Sequence, residues 1–137
     1  MLVIADEDLA GVDASALAQA DAVIVIGTTI PAAATHIAAA LPVCNVAEEE
    51  GTFTNLRGRV QRFLQAKAAP GLARPSWYAL ADLLVAVGDT VDYSSAANVF
   101  EALARAESAF SGLSYETLAL KGAVVSGGAP APAGTAA

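Results

Sequence analysis

Ala22-Val23-Ile24-Val25-Ile26-Gly27-Thr28-Thr29 is the stretch whose reading decides the fold. It is continuously apolar and β-branched up to Gly27, the pattern of a strand covered on both faces, as in a parallel sheet. Gly27-Thr28-Thr29 ends the strand. Pro31 suits the first turn of a helix, which predicts a helix running to about residue 37. Upstream, Leu2-Val3-Ile4-Ala5 has the length and apolarity of a second buried strand, and Asp13 is placed to cap a helix over residues 14–20. Downstream, Ala40-Leu41-Pro42-Val43-Cys44 reads as a third strand, near an edge because of Pro42. Strand, helix, strand, helix, strand is an α/β pattern, a partial Rossmann-like parallel sheet.

The character changes at Glu48-Glu49-Glu50-Gly51, a polar break. Residues 52–55 and 59–63 read as two strands of a β-hairpin around a turn containing Gly58. Pro70-Gly71 opens a loop. Ser76 is positioned to cap a helix in which Trp77, Leu80, Leu84 and Val87 share one face, with Gly88 closing it. Ser94 or Ser95 caps the next helix, whose stripe is Val99, Leu103, Ala106 and Phe110. A short helix over residues 115–120 follows. The expected organisation is a Rossmann-like part with hairpin over residues 1–68, a helical C-terminal part over 69–122 and a disordered Gly/Ala/Pro tail over 123–137.

Hydrophobic residues make up 55% of the 137 and charged residues 15%, so the surface is thin in charge for a lone soluble domain. Burial against a partner, or against the remainder of a larger domain, accounts for that balance. A small alanine-rich globular protein is the plain alternative. A three-strand sheet with open edges and a chain that starts directly in a strand both suit a fragment. The net charge of −7 argues against nucleic acid as a partner and against a basic membrane-surface helix. The acidic start has no basic region of the kind that opens a secretory leader. Residues 22–47 carry no formal charge, but glycine, two prolines and much alanine favour strand and helix over a membrane span. With one cysteine, Cys44, and one histidine, His36, this chain alone supplies neither an iron–sulfur ligand set nor a structural zinc site.

The segment Leu41-Pro42-Val43-Cys44-Asn45-Val46-Ala47-Glu48-Glu49-Glu50-Gly51-Thr52-Phe53-Thr54-Asn55-Leu56-Arg57-Gly58-Arg59-Val60-Gln61-Arg62-Phe63 resembles the signature of the molybdopterin oxidoreductase superfamily. Its elements there are a strand ending in Leu41-Pro42, an acidic turn at Glu48, then Gly51-Thr52-Phe53-Thr54-Asn55 and Gly58-Arg59-Val60-Gln61. A Pro-Gly loop and a helix opening near Trp77 continue the pattern. Ala38-Ala39-Ala40 departs from it, lacking the acid usual before Leu-Pro. Downstream, Val99-Phe100-Glu101-Ala102-Leu103-Ala104 and Gly112-Leu113-Ser114-Tyr115-Glu116-Thr117-Leu118 resemble the close of the large iron–sulfur subunit of NADH–quinone oxidoreductase, respiratory complex I.

That resemblance implies a structural, cofactor-free C-terminal portion of a subunit that helps carry electrons from NADH to quinone. Iron–sulfur clusters would sit elsewhere in the parent subunit, and no complete active site in this chain. It implies as partners the other subunits of the peripheral arm or the rest of the same subunit, with a cytoplasmic location peripheral to the inner membrane. Two alternatives stay open: the end of a molybdopterin-dependent oxidoreductase such as formate dehydrogenase, and a small stand-alone binding or assembly module.

Five of the seven cationic side chains are Arg57, Arg59, Arg62, Lys67 and Arg74. Arg57, Arg59 and Arg62 are candidates for a pterin-phosphate contact, since guanidinium binds phosphate in a bidentate fashion. The competing reading is a solvated hairpin partly paired with Glu48, Glu49 and Glu50. Gly27-Thr28-Thr29 could cradle a phosphate at a following helix N-terminus, but it lacks the Gly-rich spacing, and a plain strand-to-helix turn is the favoured reading. His36 and Cys44 read as structural residues, and no catalytic or metal constellation stands out.

Overall fold

The computed structural model describes residues 1–5 and 14–125, and the expected cap at Asp13 and the tail beyond residue 125 lie outside them. The chain divides into two compact units that interleave in sequence: residues 1–49 with 66–91, and residues 50–65 with those from 92 on. Residues 69–91 thus belong with the parallel sheet, and the hairpin belongs with the later helices.

The first unit is built on a parallel sheet of β1 (Leu2–Ala5), β2 (Val23–Gly27) and β3 (Ile37–Pro42), in the order β1-β2-β3. The β-branched run at β2 takes the centre, as its unbroken apolarity requires. One face packs Ile4, Val23 and Val25 against Leu17 of the short helix α1 (Ala14–Leu17). The other packs Ile26 and Val43 against Ala79 of α2 (Ser76–Ala86), with Leu83 alongside.

The helix expected after Pro31 is a turn, closed by Ala34 N–H donating to the Pro31 carbonyl at 3.0 Å. The ladder with β2 claims the residues that follow. His36 accepts from Val23 N–H at 3.1 Å, and β3 starts at Ile37, three residues earlier than the sequence suggests. An alanine-rich helix of under two turns has too few internal bonds to compete with that pairing. The loop over 28–36 can reach about 30 Å when extended, enough to retrace the five-residue β2 without a crossover helix. Ala38 is the extra residue of a bulge where the register shifts between Val23 and Ile24.

Pro75, not Ser76, stands at the N-cap of α2, and Gly88 follows the helix at φ +96°. The side of α2 against the sheet is Ala79 and Leu83, one helical turn apart, rather than the expected stripe of Leu80 and Leu84, which is exposed. Alanine at the point of contact lets the helix backbone approach the sheet closely.

The second unit holds an antiparallel sheet, β4 (Gly51–Thr54), β5 (Arg59–Phe63) and β6 (Ala123–Val124), in the order β4-β5-β6. Its core is Val60, Phe100 and Leu118, with Leu103, Phe110 and Tyr115 packed around them. Phe100 and Leu103 come from α3 (Ala96–Ala106), capped by Ser95, whose hydroxyl accepts from Asn98 N–H at 3.2 Å. Phe110 lies on a 3-10 turn beyond the end of α3 rather than on its stripe. The last helix, α4 (Tyr115–Leu118), opens with a capping box between Ser114 and Thr117 and stops short of residue 120. β6 lies in the stretch expected to be tail, where it pairs with Arg59 and Val60.

Gly122, at φ +67°, delivers the chain from α4 into β6. A Cβ there would collide with the Val60 carbonyl oxygen. Gly122→Ala is therefore expected to destabilise the second unit by about 1–3 kcal/mol, the range for strained left-handed backbone plus a main-chain clash. A thermal melt should show the loss, and a melt unchanged from the parent would contradict this placement of β6.

Candidate functional site

The region singled out by sequence is residues 41–63 with the helix start near Trp77. In the first unit its acidic turn acts as a pair of anchors. Glu48, 6% exposed, accepts from Asn45 N–H at 3.0 Å and pairs with Lys67 Nζ at 2.9 Å. Asn45 in turn accepts from Ala47 N–H at 2.9 Å, and Ala47 O accepts from both Ala66 and Lys67 N–H. The Asn45 N–H, then Lys67, hold the Glu48 carboxyl below the usual carboxylate range.

Glu49 reaches the start of α2. Its Oε2 accepts from Ser76 N–H at 3.0 Å, and both its oxygens lie within hydrogen-bond distance of Ser76 Oγ. Proline at the N-cap has no side-chain acceptor, so this distant carboxylate takes over part of the capping role, and its charge also suits the positive end of the helix dipole. Ser76, expected as the cap, is instead the capped residue. Glu49 is not among the signature residues read from the sequence. The available signal was the Pro75-Ser76 helix start, which leaves early N–H groups in need of an outside acceptor.

The loop before α2 closes onto the end of β3. Arg74 N–H donates to Pro42 O at 3.3 Å, and Cys44 N–H donates to Arg74 O at 2.9 Å. The Arg74 guanidinium lies 5.0 Å from the Tyr78 ring centroid, and Trp77 packs edge-on against Tyr78. Cys44 is buried, and burial, then Glu49 and Glu48, push its thiol pKa up, so the neutral form is favoured and a nucleophilic thiolate is not.

In the second unit Arg59 and Arg62 of the hairpin bond to carbonyls of the same unit. Asn55 Oδ1 accepts from Arg57 N–H at 2.9 Å and Arg59 N–H at 3.0 Å, and Gly58, at φ +70°, completes the turn. Thr54-Asn55-Leu56-Arg57-Gly58-Arg59 is thus a turn whose Asn carries the backbone bonds. Arg59 Nη1 donates to Lys121 O at 3.1 Å and lies 3.4 Å from Gly122 O. Arg62 Nη1 donates to Tyr115 O at 3.2 Å, and its guanidinium lies 4.3 Å from the Tyr115 ring centroid. The Arg62 Nε is buried with no hydrogen-bond partner among the described residues. Burial, then Glu50, raise the Tyr115 pKa while Arg62 opposes them. Arg57 is exposed at the turn, and Phe53 stacks on Phe63 at 4.9 Å between centroids.

Gly27-Thr28-Thr29 precedes a loop and not a helix N-terminus, so the anion cradle considered for it does not form. His36 is exposed at φ +54°. Among the described residues no group of three or more His, Cys, Asp or Glu is placed to hold a metal ion, and no helix is long and apolar enough to cross a membrane.

The family model for molybdopterin oxidoreductase matches residues 3–86, well over half of the chain. The chain belongs to the molybdopterin oxidoreductase family. It is 37% identical over 84 residues to the F420-dependent formate dehydrogenase 2 subunit alpha of Methanococcus maripaludis, covering 60% of this chain and 12% of that protein. It is 32% identical over 118 residues to a putative formate dehydrogenase of Bacillus subtilis, covering 82% of this chain and 12% of that protein. The assimilatory nitrate reductase catalytic subunit of Bacillus subtilis is 34% identical over 90 residues, covering 61% of this chain and 13% of that protein. The chain therefore spans about an eighth of the length of these relatives. They are formate dehydrogenases and a nitrate reductase, so they support the molybdopterin family and not the finer resemblance to the complex I large subunit.

A molybdopterin-type group would require guanidinium N–H bonds free to converge on its phosphates. Arg59 and Arg62 each commit one Nη1 to carbonyl oxygens, and Arg62 lies against the Tyr115 ring, while Arg62 Nε has no partner among the described residues and Arg57 is exposed.

Because the Glu48 carboxyl titrates lower in the folded chain than in the unfolded one, its stabilising contribution is complete above the usual glutamate pKa of about 4.3 and disappears as pH falls through the lower folded value. Glu48→Gln is expected to flatten the loss of stability as pH falls below about 4.3. Denaturant unfolding across that range checks it, and an acid limb as steep as the parent's would contradict the anchor.

Proposed function

We propose that this chain is a structural, C-terminal portion of a molybdopterin-dependent oxidoreductase of the formate dehydrogenase type, supporting the catalytic parts of its parent without supplying a ligand to the cofactor. The observation that carries the reading is the direction of the side chains in and around the signature. Glu48, Glu49, Asn55, Arg59 and Arg62 each bind backbone groups of their own unit. Side chains used this way hold a scaffold in shape. The likeness to formate dehydrogenases over 84 and 118 residues supports the choice of parent.

In this reading the reaction, two-electron oxidation of formate or a comparable oxyanion conversion, belongs to the molybdenum centre and iron–sulfur clusters borne by the rest of the parent. The partners are that remaining polypeptide and the subunits that pass its electrons on. The large subunit of complex I shares the same signature, and the resemblance over residues 112–118 favours it. Metal content separates the two, because the scaffold role in this chain is common to both.

The test is purification from the native host through a tag on this chain, with assay of molybdenum, pterin, iron and formate oxidation. Molybdenum and pterin together with iron in the recovered assembly are expected. NADH dehydrogenase subunits with iron and without molybdenum would move the chain to the complex I large subunit. Recovery of a folded chain with no partner would make it a stand-alone module.

A further inference from the structure

The two long helices differ in how they are painted. On α3, Phe100 and Leu103 face a core, while Glu101 and Arg105 are exposed, as on a helix with one wet side. On α2, residues Ser76-Trp77-Tyr78-Ala79-Leu80-Ala81-Asp82-Leu83-Leu84-Val85-Ala86 carry a single charge, Asp82. The sheet occupies Ala79 and Leu83. Beside that contact Leu80, Leu84 and Val87 form a second stripe at i, i+4 and i+7, 39%, 42% and 60% exposed. A helix that is apolar nearly all round belongs between two layers, and within its unit α2 has one.

What covers the second stripe follows from extent. Residue 86, the end of α2, is also the end of the family match, so α2 is part of the shared domain. The relatives that contain this domain are about eight times longer than the part matched here, at 12% coverage. We infer that the Leu80–Leu84–Val87 stripe is the docking surface for an apolar face of the remaining polypeptide of the parent oxidoreductase, whether joined to this chain or carried as a separate subunit. This rests on the proposed function only in taking the parent to be a molybdopterin oxidoreductase, of either kind. The apolar stripe calls for a partner that is apolar at its centre, since Asp82, the one charge on α2, lies on the opposite side of the helix.

The experiment places a photo-crosslinking amino acid at position 84, and separately at Glu101 on the wet side of α3, in the tagged protein expressed in its native host. Crosslinked peptides are identified by mass spectrometry. The expected result is a strong crosslink from position 84 to a segment with molybdopterin oxidoreductase sequence outside these 137 residues, and little from position 101. In parallel, Leu84→Glu should weaken recovery of the partner by about tenfold or more, since it would bury a carboxylate in an apolar contact. Circular dichroism should show that variant folded, because the side chain is half-exposed in the chain. A crosslink only to a second copy, only to an unrelated protein, or to nothing would overturn the inference. Molybdenum in an assembly whose position 84 crosslinks to nothing would overturn the docking surface and leave the proposed function standing. A crosslink to an oxidoreductase segment without molybdenum would do the reverse for the formate dehydrogenase reading.

Discussion

Backbone N–H and C=O groups outside helices and strands must find partners, and in this chain charged and amide side chains in and around the signature supply several of them. The acidic turn carries the heaviest share. Glu48 satisfies Asn45 N–H, and Glu49 satisfies Ser76 N–H where the proline N-cap has no side-chain acceptor. With those donors met, α2 can start where it does and bring Ala79 and Leu83 onto the sheet. Loss of either carboxylate leaves a backbone donor to be satisfied by water or not at all, at about 1–3 kcal/mol if it stays buried.

The second unit follows the same logic with cations. Arg59 accompanies the turn from α4 into β6 by bonding Lys121 O, and Arg62 fastens the carbonyl and ring of Tyr115 beside β5. Charge-assisted bonds to carbonyls are stronger than neutral ones, which suits short elements that bury little area of their own. β6 has two residues and α4 has four, too few for either to persist without such fastening. Two of the three arginines that invite a phosphate-binding reading, Arg59 and Arg62, thus each commit an Nη1 to the fold.

Much of this was legible in the chain. The β-branched run at Val23–Gly27 declared a parallel strand covered on both faces, and Gly58 declared the hairpin turn, whereas Asn55, read as the end of a strand, proved to carry that turn's backbone bonds. Non-local pairing was not legible. The segment after Pro31 has helical composition, yet its neighbour in space, β2, draws residues 37–42 into a ladder. β6 is two residues in an alanine- and glycine-rich stretch, and only its pairing with Arg59 and Val60 makes it a strand. On α2 the periodicity favoured the bulkier Leu80 and Leu84 as the inward face, whereas close approach to the sheet selects Ala79. At the site, residue types were visible and their directions were not. A cluster of arginines looks the same in sequence whether it faces an anion or a carbonyl.

The central claim is that the side chains in and around the signature hold backbone and not cofactor, and amide hydrogen exchange in Glu49→Ala within the purified parent assembly tests it most directly. Removing the carboxylate should speed exchange at the first turn of α2 by about tenfold, the loss of one charge-assisted bond, with pterin and molybdenum content unchanged. Unchanged exchange at Ser76 together with loss of the cofactor would contradict it.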